Sequence, residues 1–166
     1  TCALPICHGV GPARAARPGG GGRQGGVPGP GGGPGGVARE ARHLQINRAR
    51  NKNVLVSEWT SERAHNHPEL EKCLHDWLEA KGLPPLHFMV EPETLARLND
   101  RRIFVAEQAE NIVGFVVLSP VSTRKGWLFE QFIHSPKSPN GTVELMIDAA
   151  MRILAADGYE YATLGL

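Results

Sequence analysis

Between Arg102 and His134, three runs rich in β-branched and aromatic residues follow one another with only turn-sized interruptions, and this stretch constrains the fold more than any other. "RIFVAEQ" (102–108) leads through Ala109-Glu110-Asn111 into "IVGFVVLSPV", and a turn at Ser122–Lys125 leads into "GWLFEQFIH" (126–134). The spacing predicts a β-hairpin extended by a third strand. A helix follows, because "GTVELMIDAAMRILAADG" puts Leu145, Met146, Ala149, Ile153 and Leu154 on one side, with Gly158 as its C-cap. "YEYATLGL" then returns to strand composition and meets the chain end in mid-element.

Upstream, a basic helix is expected over residues 39–53, a strand in "VLVSEW" (54–59), and a helix carrying Leu70, Cys73, Leu74, Trp77 and Leu78 that Gly82 closes. "LHFMV" (86–90) reads as a short strand and "PETLARLND" (92–100) as a short helix. The expected class is therefore α/β, a mixed sheet flanked by helices. Its element order is that of the acetyltransferase-like (GNAT-type) fold, in which the strand before the main helix splays from the strand after it and the gap receives substrate. Residues 54–166 are expected to form this domain, incomplete at its C-terminus.

Residues 1–38 differ from the rest. The first 36 hold 14 of the 20 glycines, 6 of the 13 prolines and no acid. Such a segment has little apolar surface to offset its ordering entropy, so it is expected to be disordered or foreign to the protein. Its opening "TCALPI" resembles translated sequencing-adapter read-through. The chain has a formal charge of +1, and Arg14, Arg17 and Arg23 lie in this tail, so the remainder is slightly acidic. Nucleic-acid binding would then need a local patch. No apolar run approaches the roughly 18 residues that a bilayer span requires. Outside the tail Cys73 stands alone among the cysteines, which fits a reducing cytoplasmic compartment rather than a disulfide framework.

Candidate chemistry gathers around "HSPKSPNGTVEL". Pro139 favours an extended Ser138, Gly141 permits a positive φ, and Asn140 or Thr142 can cap the helix, leaving N–H groups suited to an anion or oxyanion. The bland alternative is an ordinary helix start. Glu144 and Asp148 stand one turn apart, with Arg152 one turn further. They form either a solvated face with an Asp148–Arg152 pair or, with Glu130 of the preceding strand, the lining of a cleft that holds an ammonium group or supplies a base. Glu130 lies inside an apolar strand, where a lone carboxylate needs a reason. Arg39, Arg42, Arg48, Arg50 and Lys52 could meet phosphates of RNA or lipid headgroups, or form a solvated basic helix. His65, His67, Cys73 and His75 lack metal-ligand spacing, and no metal is expected.

The same residues resemble the C-terminal catalytic domain of the bacterial phosphatidylglycerol lysyltransferases, also called lysylphosphatidylglycerol synthetases. The resemblance covers roughly residues 43–166 and rests on "INRARNKNVLVSEW", "SPKSPNGTVELMIDAAM" and "GYEYATLGL". It implies two tandem GNAT-like halves, the first absent here, that take an amino acid from aminoacyl-tRNA and pass it to a phospholipid headgroup hydroxyl. It further implies no cofactor beyond aminoacyl-tRNA as co-substrate. The expected location is cytoplasmic, at the inner face of the bacterial plasma membrane through segments outside this chain. By that resemblance Glu130 and Glu144 occupy acid positions of the family, with His134 as a proton-transfer candidate. Ile133 departs from it, standing where the lysyltransferases carry an arginine. The glycine-poor 134–142 loop also departs from the pyrophosphate loop of ordinary GNAT acetyltransferases. The alternative readings are an acyl-CoA-dependent small-molecule N-acyltransferase and a non-catalytic GNAT-like binding module.

Overall fold

The structure, a computed structural model, describes residues 3–5, 34–82 and 95–165. Its strands are β1 (Ala3–Pro5), β2 (Leu55–Trp59), β3 (Arg102–Gln108), β4 (Asn111–Val121), β5 (Gly126–His134) and β6 (Tyr161–Thr163). Its helices are α1 (Pro34–Asn51), α2 (Ser61–Ala64), α3 (Pro68–Lys81) and α4 (Thr142–Ala156). They build one sheet in the order β1-β6-β5-β4-β3-β2, antiparallel throughout except for the parallel β5–β6 pair.

The three central strands form where alternation places them. Two layers cover the sheet because successive side chains on each strand point to opposite faces. Phe104, Ala106, Val116, Leu118 and Phe129 face α1 and α4, packing with Ile46, Ala49, Leu145, Met146, Ala150 and Leu154. Ile103, Val105, Phe115, Val117 and Ile133 face α2 and α3, packing with Ala64, Leu70, Cys73 and Leu74. The buried row of α4 therefore runs through Ala150, while Ala149 and Ile153 are only half-buried, a correction to the expected face. The reason is the neighbouring helix: α4 packs on α1 as well as on the sheet, which favours the four-residue row Met146, Ala150, Leu154.

Helix ends follow their sequence signals. Gly82 is left-handed after α3. Gly158, at φ +83°, follows α4 while the Gly158 N–H donates to Ala155 O and the Tyr159 N–H to Leu154 O, a Schellman closure. Three expectations need adjustment and one is not tested. The basic helix begins at Pro34 rather than 39. Ala3–Pro5 pairs with β6, although the composition of 1–38 predicts no regular structure there. The 86–90 strand and residues 92–94 of the next helix lie outside the described residues, and residues 95–100 hold one short helical turn at 95–96 followed by a turn.

One irregularity shapes the region around β5, which pairs with β6 from Gly126 to Leu128 among the described residues and itself runs on to His134. The ladder to β4 slips, from Val117–Gln131 to Leu118–Phe129, leaving Glu130 as the extra residue of a β-bulge. Bulges re-aim a side chain and are frequent beside functional sites.

Candidate functional site

The bulge explains how an acid occupies the middle of an apolar strand. Glu130 escapes the strict alternation of β5, and its side chain keeps 30% of its surface exposed. Glu130 Oε1 accepts a hydrogen bond from Arg101 Nη2 at 3.1 Å, and Oε2 accepts from the Ser119 hydroxyl. Arg101 is aimed by a tight turn: Asp100 is left-handed at φ +60°, the Arg101 N–H donates to Leu98 O, and its Nη1 donates to Arg97 O at 3.0 Å. Arg101 stands one step beyond the Arg102–Leu118 pair, and Ser119 pairs with Leu128 of β5. Three adjacent strands thus bring together residues far apart in sequence.

Glu130 and Glu144 do not form one constellation. Ser119 shares its face of β4 with Phe115 and Val117, so the Glu130 carboxylate is drawn to the α3 side of the sheet. Glu144 sits in the first turn of α4 on the other side, where its charge suits the helix N-terminus. It makes no hydrogen bond or ion pair with another described residue. His134, at the end of β5, is half-buried, and its Nδ1 lies 3.2 Å from both Ser138 Oγ and Ser135 O. Gly114 opposite makes room for it, since a Cβ there would stand 2.9 Å from Ile133 O and 3.3 Å from the His134 Cβ.

The Asn140–Gly141–Thr142 turn has the expected backbone but different surroundings. Gly141 has φ +91°, and a Cβ there would stand 1.9 Å from Gln45 O of α1, so α1 lies directly against the start of α4. Thr142 is buried, and both its N–H and its hydroxyl donate to Pro139 O, at 3.2 and 2.7 Å. Asn140 is exposed. Thr142, expected as a cap in an anion-binding turn, thus directs its N–H and hydroxyl to Pro139 O instead.

Asp148 is likewise engaged within the fold. Its Oδ2 accepts from Arg152 Nε at 2.9 Å, the pairing that one-turn spacing suggests, and from Arg50 Nη2 at 3.1 Å. The basic set of α1 is therefore divided. Arg50 clamps α1 to α4, Arg48 is exposed beside Gln45, and Lys52 is exposed with its carbonyl accepting from Gln108 Nε2. Lys52 also lines an open groove of 1120 Å³ with Lys72, Asp76, Gln108 and Lys137. That groove lies at the turn end of the β3–β4 hairpin, away from Arg101 and Ser119. Cys73 borders it, and burial followed by the nearby Asp76 charge pushes its thiol up to about 11. That is the opposite of an activated nucleophile.

A family model described as phosphatidylglycerol lysyltransferase, C-terminal, matches residues 36–166. The chain belongs to this family. No curated protein matches the sequence. Among solved structures, the chain is similar to the C-terminal domain of a putative lysylphosphatidylglycerol synthetase from Agrobacterium fabrum, at 17% identity and a TM-score of 0.64 over 76% of this chain and 41% of that one. It is similar also to L-PGS from Bacillus licheniformis, at 20% identity and a TM-score of 0.59 over 77% of this chain and 41% of that one. An aminoglycoside acetyltransferase, meta-AAC0020, from an uncultured soil metagenomic sample follows at 16% identity and 0.51, over 70% of this chain and 78% of that one. The fold is accordingly GNAT-like, as the element order implied, and this lysyltransferase-family chain spans about two-fifths of the length of the first two structures. No described helix is long and apolar enough to cross a membrane.

Sequence reasoning missed Ser119, and it read Arg101 only as charge at a strand end that could extend a basic patch, not as the partner of Glu130. The signal was the lone acid in "LFEQF", which called for a partner, but nothing in the spacing named one. Another ionic cluster supports the sheet. Arg102 donates from Nε and Nη2 to both oxygens of Glu58, at 2.6 and 2.7 Å, and from Nη1 to Asp157 at 2.7 Å, joining β2, β3 and the end of α4. The Glu58 contact, ahead of Asp157, holds the guanidinium in its charged form.

Proposed function

We propose that this chain is the second GNAT-like half of an aminoacyltransferase that moves an amino acid from aminoacyl-tRNA to the hydroxyl of a phospholipid headgroup such as phosphatidylglycerol, with a first GNAT-like half in the full-length protein. The observation that carries the reading is the position of Glu130. Within a chain of the lysyltransferase family, the bulge frees a carboxylate from the alternation of β5 and leaves it partly exposed between Arg101 and Ser119.

The reaction needs attack of a hydroxyl on an ester carbonyl, with breakage of the bond to the tRNA ribose oxygen. The attacking hydroxyl gives up a proton, the ribose oxygen gains one, and the carbonyl oxygen carries transient negative charge. Glu144 is the candidate base, because no described side chain occupies its carboxylate. His134, near Ser138, is the candidate to pass a proton towards the leaving oxygen. The exposed Arg48 and Lys52 are candidates for phosphate contact, while Arg50 serves chiefly as the α1–α4 clamp.

The test is to express the full-length protein in a bacterium lacking aminoacylated lipids and to examine its phospholipids by mass spectrometry. The expected result is a headgroup heavier by one aminoacyl unit, lost in Glu144→Gln without change in the folded protein's circular dichroism. An unaltered lipid profile with well-folded protein would overturn the reading, and unchanged product in Glu144→Gln would remove that residue from the chemistry.

A further inference from the structure

His134 is tied to the turn that follows it through one ring nitrogen. Its Nδ1 lies 3.2 Å from Ser135 O and 3.2 Å from Ser138 Oγ. Its Nε2 bonds to no described residue and is not sealed from solvent. A carbonyl oxygen only accepts, so a ring nitrogen held at this distance from Ser135 O carries the proton. With the proton of the neutral ring on Nε2 instead, two lone pairs would face each other across the contact. The second lone pair of Ser135 O receives the Ser138 N–H at 2.9 Å, so this carbonyl is fully used. Ser138 Oγ stands beside the same Nδ1–H as a further acceptor.

The turn that makes these contacts is itself braced. The Ser135 N–H donates to Val113 O at 2.9 Å, and the Ser135 hydroxyl accepts from the Lys137 N–H. Pro139, next to Ser138, is buried, and its carbonyl takes both donors of Thr142 at the start of α4. His134 shares its face of β5 with Phe132, which packs against the α1–α4 layer. The ring therefore belongs to the layer that carries Glu144, the free carboxylate of the first turn of α4.

We propose that the Ser135 carbonyl and the Ser138 hydroxyl are positioning groups that lock the proton of neutral His134 on Nδ1 and leave Nε2 as the atom that exchanges a proton with substrate. The exchange rests on the aminoacyl-transfer reading, whereas the lock does not. In that transfer the attacking hydroxyl forms the new ester bond and gives its proton to Glu144. The bond to the ribose oxygen breaks, and that oxygen takes the Nε2 proton of the charged His134 ring. The ring is left neutral, with its Nδ1–H still on Ser135 O, and the proton on Glu144 returns to Nε2 through solvent.

The experiment is solid-state nitrogen NMR of the full-length protein with isotope-labelled histidine, alongside steady-state transfer kinetics. Spectra are recorded in alkaline buffer, where imidazole rings are neutral, and the His134 signals are those lost in His134→Gln. The wild type is expected to show a protonated Nδ1 and an unprotonated Nε2. Ser138→Ala should keep that tautomer, because the carbonyl remains, and lower kcat by about fivefold, the scale of one neutral hydrogen bond. The KM for the aminoacyl donor should stay within about twofold, a split that general loss of fold would not produce. Ser138→Thr, which retains the hydroxyl, should recover most of the rate. His134→Asn keeps an amide able to reach Ser135 O but has no Nε2, and should lower kcat by about a hundredfold or more.

A proton on Nε2 of the neutral ring would overturn the lock, and an unchanged kcat in Ser138→Ala or His134→Asn would overturn the role given to it. The two readings fail separately. An Nδ1–H ring in a protein that makes no aminoacylated lipid would remove the lipid reaction and keep the lock. Aminoacylated lipid from a protein whose neutral His134 is protonated on Nε2 would do the reverse.

Discussion

Replacing Gly141 with alanine tests the contact that positions the start of α4. The residue has φ +91° and ψ 1°, outside the region an L-residue enters freely, and the added Cβ would stand 1.9 Å from the Gln45 carbonyl oxygen. The backbone alone costs about 1–2 kcal/mol. Relieving the overlap requires α1 to move by roughly 1.5 Å or more, to reach ordinary van der Waals distance, and this disturbs Ile46 and Ala49, both buried against the sheet. Such repacking adds about 1–3 kcal/mol. Gly158 supplies the control, since it has φ +83° but nothing within 4 Å of where an alanine Cβ would lie, so Gly158→Ala carries the backbone cost alone. Urea unfolding followed by tryptophan fluorescence should show Gly141→Ala less stable than Gly158→Ala by about 1–3 kcal/mol. Equal losses in the two variants would refute the docking of α1 on the α4 start.

Three further outcomes are expected. Arg102→Lys keeps the charge but loses the two-pronged contact to Glu58, and should destabilise the fold by about 1–2 kcal/mol, with a double-mutant cycle against Glu58→Gln showing coupling; purely additive losses would count against the pairing. Asp148→Asn, which releases Arg50 and Arg152, should cost about 0.5–1 kcal/mol, less in high salt, and an effect insensitive to salt would contradict an ion-pair origin. The Cys73 thiol rises from 9.0 to about 11 on folding, so the folded state holds its proton more tightly than the unfolded chain. Its contribution is fully present below about pH 9 and falls as pH climbs through about 11, at up to about 1.4 kcal/mol per pH unit. Cys73→Ala should flatten that part of the pH–stability curve, and an identical slope in both proteins would assign the loss to other groups.

The local elements were legible in the sequence because their causes are local. Alternation fixed the 126–134 strand to its bounds, Gly82 and Gly158 marked helix ends, and Asp148–Arg152 followed from one-turn spacing. The "PNGT" turn is also legible as backbone, since positive φ at a glycine is a property of a few neighbouring residues. Its chemical surroundings are not, because the Gln45 carbonyl that lies against Gly141 comes from a helix far upstream in the chain.

The site shows the same division. Sequence alone singled out Glu130, Glu144 and His134 as residue types suited to acyl transfer. Only the tertiary structure decided that Glu130 answers to Arg101 and Ser119, that Glu144 belongs to the opposite layer, and that Arg50 spends its charge on Asp148. For Glu130 the physical reason is the register slip between β4 and β5. One extra residue in a ladder re-aims a side chain, and no periodicity within a single strand records which residue that is.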